Sequence, residues 1–140
     1  MIDLKNIVDA MLPGDSMLGM PSASSIGFEG YLIQNNLMEL AIDFASMLDR
    51  VCEEKYGKEF QVLEMPEKML AINNCKLVNV RVFSGFVSHL LKAYYTAPNV
   101  ARQIGAGSVP PFPQGNFLMQ DDWGLLEPVF ERGKVYRDVS

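Results

Sequence analysis

One histidine and two cysteines in 140 residues cannot by themselves supply a four-ligand metal site. Glycine-rich phosphate loops are missing too, since neither G-x-G-x-x-G nor G-x-x-x-x-G-K-[ST] occurs. No apolar run reaches the roughly 18 residues that a membrane span needs. The start, Met1-Ile2-Asp3-Leu4-Lys5, has neither a basic region nor an apolar core, so the sequence predicts no signal peptide. Positive charge is scarce: 12 Lys and Arg against 17 Asp and Glu leave a net charge of −5. That balance argues against nucleic acid and anionic membranes as partners. Period-two strand patterns and internal repeats are also absent.

What remains is a chain with 49% hydrophobic and 21% charged residues, a composition that folds. Its charge is uneven. Residues 1–70 carry 5 basic and 12 acidic side chains, and residues 71–140 carry 7 and 5. The order of elements reads as helices separated by proline and glycine. Asp3 caps a short helix with Leu4, Ile7, Val8, Met11 and Leu12 at helical spacing, stopped by Pro13-Gly14-Asp15. A loop over 14–25 follows, then a helix from about Gly27 to Asn35. Leu37, Leu40, Ala41, Phe44, Met47, Leu48 and Val51 form the apolar stripe of a longer helix ended by Gly57.

A short helix is expected from Pro66 to Asn73, with Asn73-Asn74 bending or breaking the chain. Residues 76–95 read as a central helix, apolar nearly all round except for Arg81, Ser84, Ser88 and Lys92. Gly85 lies in that polar stripe, either admitting another backbone or simply tolerated. Pro98 restarts a helix that Gly105 ends, residues 105–115 carry turn chemistry, and 121–132 make a short amphipathic helix limited by Pro128. The fold class is therefore all-α: a single compact helical domain over 1–115 with a Pro/Gly-rich, aromatic C-terminal tail over 116–140.

Few residues suit catalysis. His89 sits at the edge of an apolar helix face, where a core histidine with one hydrogen bond outweighs a general base. Cys52 and Cys75 have no CxxC partner or basic flank, so structural thiols are the default, and a disulfide between them stays open. Glu39, Asp43, Glu53 and Glu54 occupy one polar helix face and read as solvated surface. The sequence thus predicts no catalytic residue, metal site or cofactor of its own. Apolar groups do stand where a lone domain would not place them. Met17 and Met20 lie in a loop, Phe112 lies in the Pro-rich stretch before the tail, and Phe117, Met119, Trp123 and Phe130 lie in the tail. Methionines and aromatics are favoured at interface cores, which makes these seven the candidate partner-contacting residues.

Two blocks of the chain resemble a known family. The first runs from Ile7 through Pro13-Gly14-Asp15 to Met20-Pro21, Gly27 and Tyr31-Leu32-Ile33. The second runs from Leu91 through Tyr94-Tyr95 and Pro98 to Ile104-Gly105, continued by Pro110, Pro111, Pro113 and Gly115. In order and spacing they are similar to the gluconate 2-dehydrogenase subunit 3 family. The resemblance implies a non-catalytic small subunit that supports the folding of a large FAD-dependent, GMC-type sugar or alcohol dehydrogenase subunit. FAD would belong to that partner, and a cytochrome c subunit would take the electrons. Family members with a twin-arginine signal also carry the large subunit across the membrane, placing the complex on the periplasmic side. This start has no arginine pair, and without export the location would be cytoplasmic. The alternative from the residues alone is a stand-alone, self-associating helical interaction protein.

Overall fold

A computed structural model of the chain describes residues 3–106 and 122–135. The chain divides into two units, Met1–Ser108 and Val109–Ser140. The first contains α1 (Leu4–Met11), α2 (Phe28–Gln34), α3 (Met38–Tyr56), α4 (Met65–Val78), α5 (Val80–Thr96) and α6 (Pro98–Gln103), with 3-10 turns at Ala23–Ile26 and Phe60–Val62. The second contains a 3-10 turn, Trp123–Leu126, leading into α7 (Glu127–Arg132). Among the described residues no strand occurs beyond an isolated bridge between Asp15 and Met20. The all-α expectation holds. No described helix is long and apolar enough to cross a membrane.

Local chemistry sets the helix ends. The Asp3 carboxylate accepts from the Asn6 backbone N–H at 3.2 Å, occupying one of the donors that the first turn of α1 leaves free. This hydrogen bond, joined by one from the Asn6 side chain, holds the Asp3 carboxyl below its usual 3.8. Between α2 and α3 the chain turns at Asn36, a left-handed residue (φ +55°) of the type that tolerates that conformation. Gly57 ends α3 with φ +59°, its N–H bonded to the Glu53 carbonyl at 3.0 Å. At the start of α4 the Glu64 N–H donates to Glu67 Oε2 at 3.0 Å, closing a capping box beside Pro66.

Two expectations are corrected here. Asn73-Asn74 neither breaks nor bends the chain out of helix, for α4 continues to Val78. The break falls at Asn79, whose side chain accepts from the Arg81 and Val82 N–H groups at 3.1 and 3.2 Å and so starts α5. Helix α5 is also not buried all round. Phe86, Leu90, Ala93 and Tyr94 face the core, while Leu91 and Tyr95 join the polar stripe in solvent. At Gly85 no backbone approaches. A Cβ there would meet only the Leu40 side chain, at 3.5 Å, so the glycine is tolerated and not required.

The core is organised around aromatic rings. Phe44 of α3 and Phe86 of α5 stack in parallel at 4.2 Å, and Phe28 of α2 meets Phe86 edge-on at 5.7 Å. Leu32, Leu48, Leu90, Val8 and Val100 belong to the same cluster, as do Ala71, Ile72 and Cys75 of α4, so six helices share one apolar core. Cys52 and Cys75 lie fully buried where α3 packs against α4, as free thiols. Burial pushes both up to about 11, with Asp49 adding to the shift at Cys52 and Cys52 adding to that at Cys75.

Truncating Phe86 to Ala should remove about 3–5 kcal/mol of unfolding free energy, read from a urea transition, because the ring joins α5 to both α2 and α3. The raised thiol values make stability complete below the usual thiol value of 9.0 and lose it as pH climbs toward 11, since the unfolded chain ionises first. Urea titrations between pH 8 and about 11 should show that decline, and the double substitution Cys52→Ala/Cys75→Ala should flatten it.

Candidate functional site

The loop joining α1 to the first 3-10 turn is short of apolar cover yet tightly built. Asp15 and Met20 exchange backbone hydrogen bonds at 2.9 and 2.8 Å, closing a small antiparallel ring. Inside it the Asp15 carboxylate accepts from the N–H groups of Met17 (2.8 Å) and Leu18 (3.1 Å). Gly14 makes the entry possible with φ +81°, and a Cβ there would sit 2.7 Å from the Met20 carbonyl oxygen.

Two distant side chains then fasten the loop. The buried Tyr94 hydroxyl of α5 donates to the Pro21 carbonyl at 2.6 Å, and Gln103 Nε2 of α6 donates to the Leu18 carbonyl at 2.7 Å. Burial, with a smaller contribution from Tyr95, holds the Tyr94 phenol above its usual value, so it stays a donor. The result is a fixed loop that presents Met17, 94% exposed, and Leu18, 64% exposed, to solvent. Ile104, next to Gln103, is exposed as well. Met20 differs from Met17: it is half-buried and packs against the core cluster.

In the second unit, Trp123, Leu126 and Phe130 recur at intervals of three and four, with Leu125 and Val129 alongside. No residue of the 3-10 turn or α7 is buried, and Trp123 and Phe130 are 71% and 75% exposed. Asp122 caps the segment by accepting from the Gly124 N–H at 3.0 Å. The remaining sequence candidates, Phe112, Phe117 and Met119, lie outside the described residues.

Residues weighed for catalysis have structural surroundings. His89 Nδ1 lies 3.0 Å from the Tyr31 hydroxyl, and Tyr31 stacks on Phe28, so the imidazole joins α5 to α2. Glu39, Asp43, Glu53 and Glu54 stand in solvent along α3. No group of His, Cys, Asp and Glu among the described residues is arranged to hold a metal ion. A cleft of 680 Å³ beside the C-terminal half of α3 is walled by more carboxylates than cations. Ile7 and Phe60 are the apolar residues that line it.

Sequence reasoning missed one surface. Helix α4 buries Ala71, Ile72 and Cys75 on one side and exposes Met69, Leu70 and Leu77 on the other, with Val62, Val78 and Val80 nearby. Ending the helix at Asn73 hides this. Carrying the helical period through Asn73-Asn74 puts Pro66, Leu70 and Leu77 in one line opposite the buried set.

Tyr94→Phe should leave the Pro21 carbonyl without its donor and cost about 1–3 kcal/mol. The same change should speed amide exchange at Asp15 and Met20, because their ring loses its anchor. Met17→Ser, in contrast, should leave stability within about 0.5 kcal/mol of the parent.

Comparison with models of known families, with curated proteins and with solved structures gives no match to this chain.

Proposed function

We propose that this chain is a non-catalytic accessory subunit that binds and stabilises the FAD-dependent catalytic subunit of a sugar or alcohol dehydrogenase complex. The observation carrying the reading is the fastened loop. Large apolar side chains are held in water on an ordered frame, as expected of a preformed docking surface, where little ordering entropy remains to be lost on binding. The family resemblance supports the same reading from another side. Its two blocks are far apart in sequence, yet Tyr94 of the second bonds the Pro21 carbonyl of the first, and Gln103 bonds Leu18. Of these, the Tyr94–Pro21 bond joins residues that carry the resemblance, so the two blocks meet at the foot of the loop.

In this reading Met17 and Leu18 dock from the helical unit, and Trp123 with Phe130 supplies aromatic anchors from the second unit. The flavin and the catalytic base belong to the large subunit, and a cytochrome c subunit accepts its electrons. Substrate contacts likewise fall in the partner, so this chain sets the amount of folded flavoenzyme and leaves the choice of sugar or alcohol to it.

Co-expression with the flavoprotein subunit tests the idea directly. The two should co-purify, and Trp123→Ala/Phe130→Ala should weaken the complex at least tenfold while the helical circular dichroism stays unchanged. Met17→Asp/Leu18→Asp should do the same. A flavoprotein that folds, retains FAD and turns over equally well without this chain would sink the proposal.

A further inference from the structure

The outer face of α4 is a second apolar surface, separate from the fastened loop. Pro66, Leu70, Asn73 and Leu77 follow one another at intervals of four, three and four, the spacing of the seam between two packed helices. All four are exposed, Leu70 at 58% and Leu77 at 84%. The opposite side of the helix already contributes Ala71, Ile72 and Cys75 to the core, so α4 is apolar on two sides. A helix of that kind ordinarily has neighbours on both.

We propose that this seam pairs with the same seam of a second copy of the chain, the two α4 helices lying antiparallel across a two-fold axis. In that arrangement Leu77 lies over the second copy's Pro66, and Leu70 lies beside its Asn73. The flanks are compatible. Glu67 on one edge meets Asn74 of the second copy, and Lys76 on the other edge runs its stem along Met69, so no like charges face each other. Opposed helix dipoles add to this. With Val62 and Val78 at the margins, the two copies cover on the order of 1,000 Å², the lower bound for a stable interface. The dimer is accordingly reversible. Asn73 has the part of a polar residue in a helical seam, fixing orientation at some cost in affinity.

The experiment uses the full chain alone, with no flavoprotein present, so its outcome is separate from that of the accessory-subunit reading. Sedimentation across a dilution series should show the mass falling from two chains to one. Leu70→Glu/Leu77→Glu should give one chain at every concentration with unchanged circular dichroism, since both side chains are in solvent. Asn73→Leu should move the midpoint to at least tenfold lower concentration. For orientation, chains carrying Leu77→Cys mixed with chains carrying Pro66→Cys should cross-link, and Leu77→Cys alone should not. A single-chain mass throughout overturns the proposal, as does a dimer that survives the double substitution. A Leu77→Cys chain that links to itself more readily than to the Pro66→Cys chain overturns it equally.

Discussion

The parallel rings of Phe44 and Phe86 join α3 to α5, the two longest helices, and the placing of α2 and of the exposed loop depends on that junction. Phe28 brings α2 against its edge. Tyr31, stacked on Phe28, reaches His89 and ties α2 to α5 a second time. Once α5 is placed, its last turn carries Tyr94 to the Pro21 carbonyl, and the short α6 behind it carries Gln103 to Leu18. A chain of contacts therefore runs from the centre of the core to an exposed loop. The loop's shape is a property of the core and not of its own residues alone.

That dependence explains how the protein keeps apolar groups in solvent without losing order. Exposed Met17 and Leu18 gain nothing from burial, so their loop is held by hydrogen bonds from Asp15, Tyr94 and Gln103. Helix α4 uses another device: one side is locked into the core by Ala71, Ile72 and Cys75, which fixes the outer side whatever covers it. The capping box at Glu64 and Glu67 holds its first turn. Both surfaces are thus held in place by the fold itself, one by hydrogen bonds from α5 and α6 and the other by the buried side of its own helix.

Much of the helical order was legible because it depends on near neighbours. Asp3 as a cap, Pro13-Gly14 as a stop and Gly57 as a terminator act within four residues of themselves. The stripe from Leu37 to Val51 stated its period plainly. Asn73-Asn74 misled because asparagine both ends helices and tolerates their interior, and only the capping geometry at Asn79 decides which asparagine starts the next helix. The solvent side of α5 was overestimated as core because Leu91 and Tyr95 are apolar and exposed. At the candidate site, Met17 was visible as a stray apolar residue. The separation of Met17 from Met20, one in water and one against the core, needs contacts made across more than 70 positions.

The span of those contacts has a further meaning. Tyr94 lies 73 positions beyond Pro21, and Gln103 lies 85 beyond Leu18. The loop has both of its distant fasteners only after the chain through α6 has been made and has closed on itself. A shorter chain would keep only the local hydrogen bonds of Asp15. On the proposed reading, a partner that recognised Met17 and Leu18 in this geometry would be sensing the completeness of the whole helical unit at a single point, and incomplete copies would be refused without any separate surveillance step.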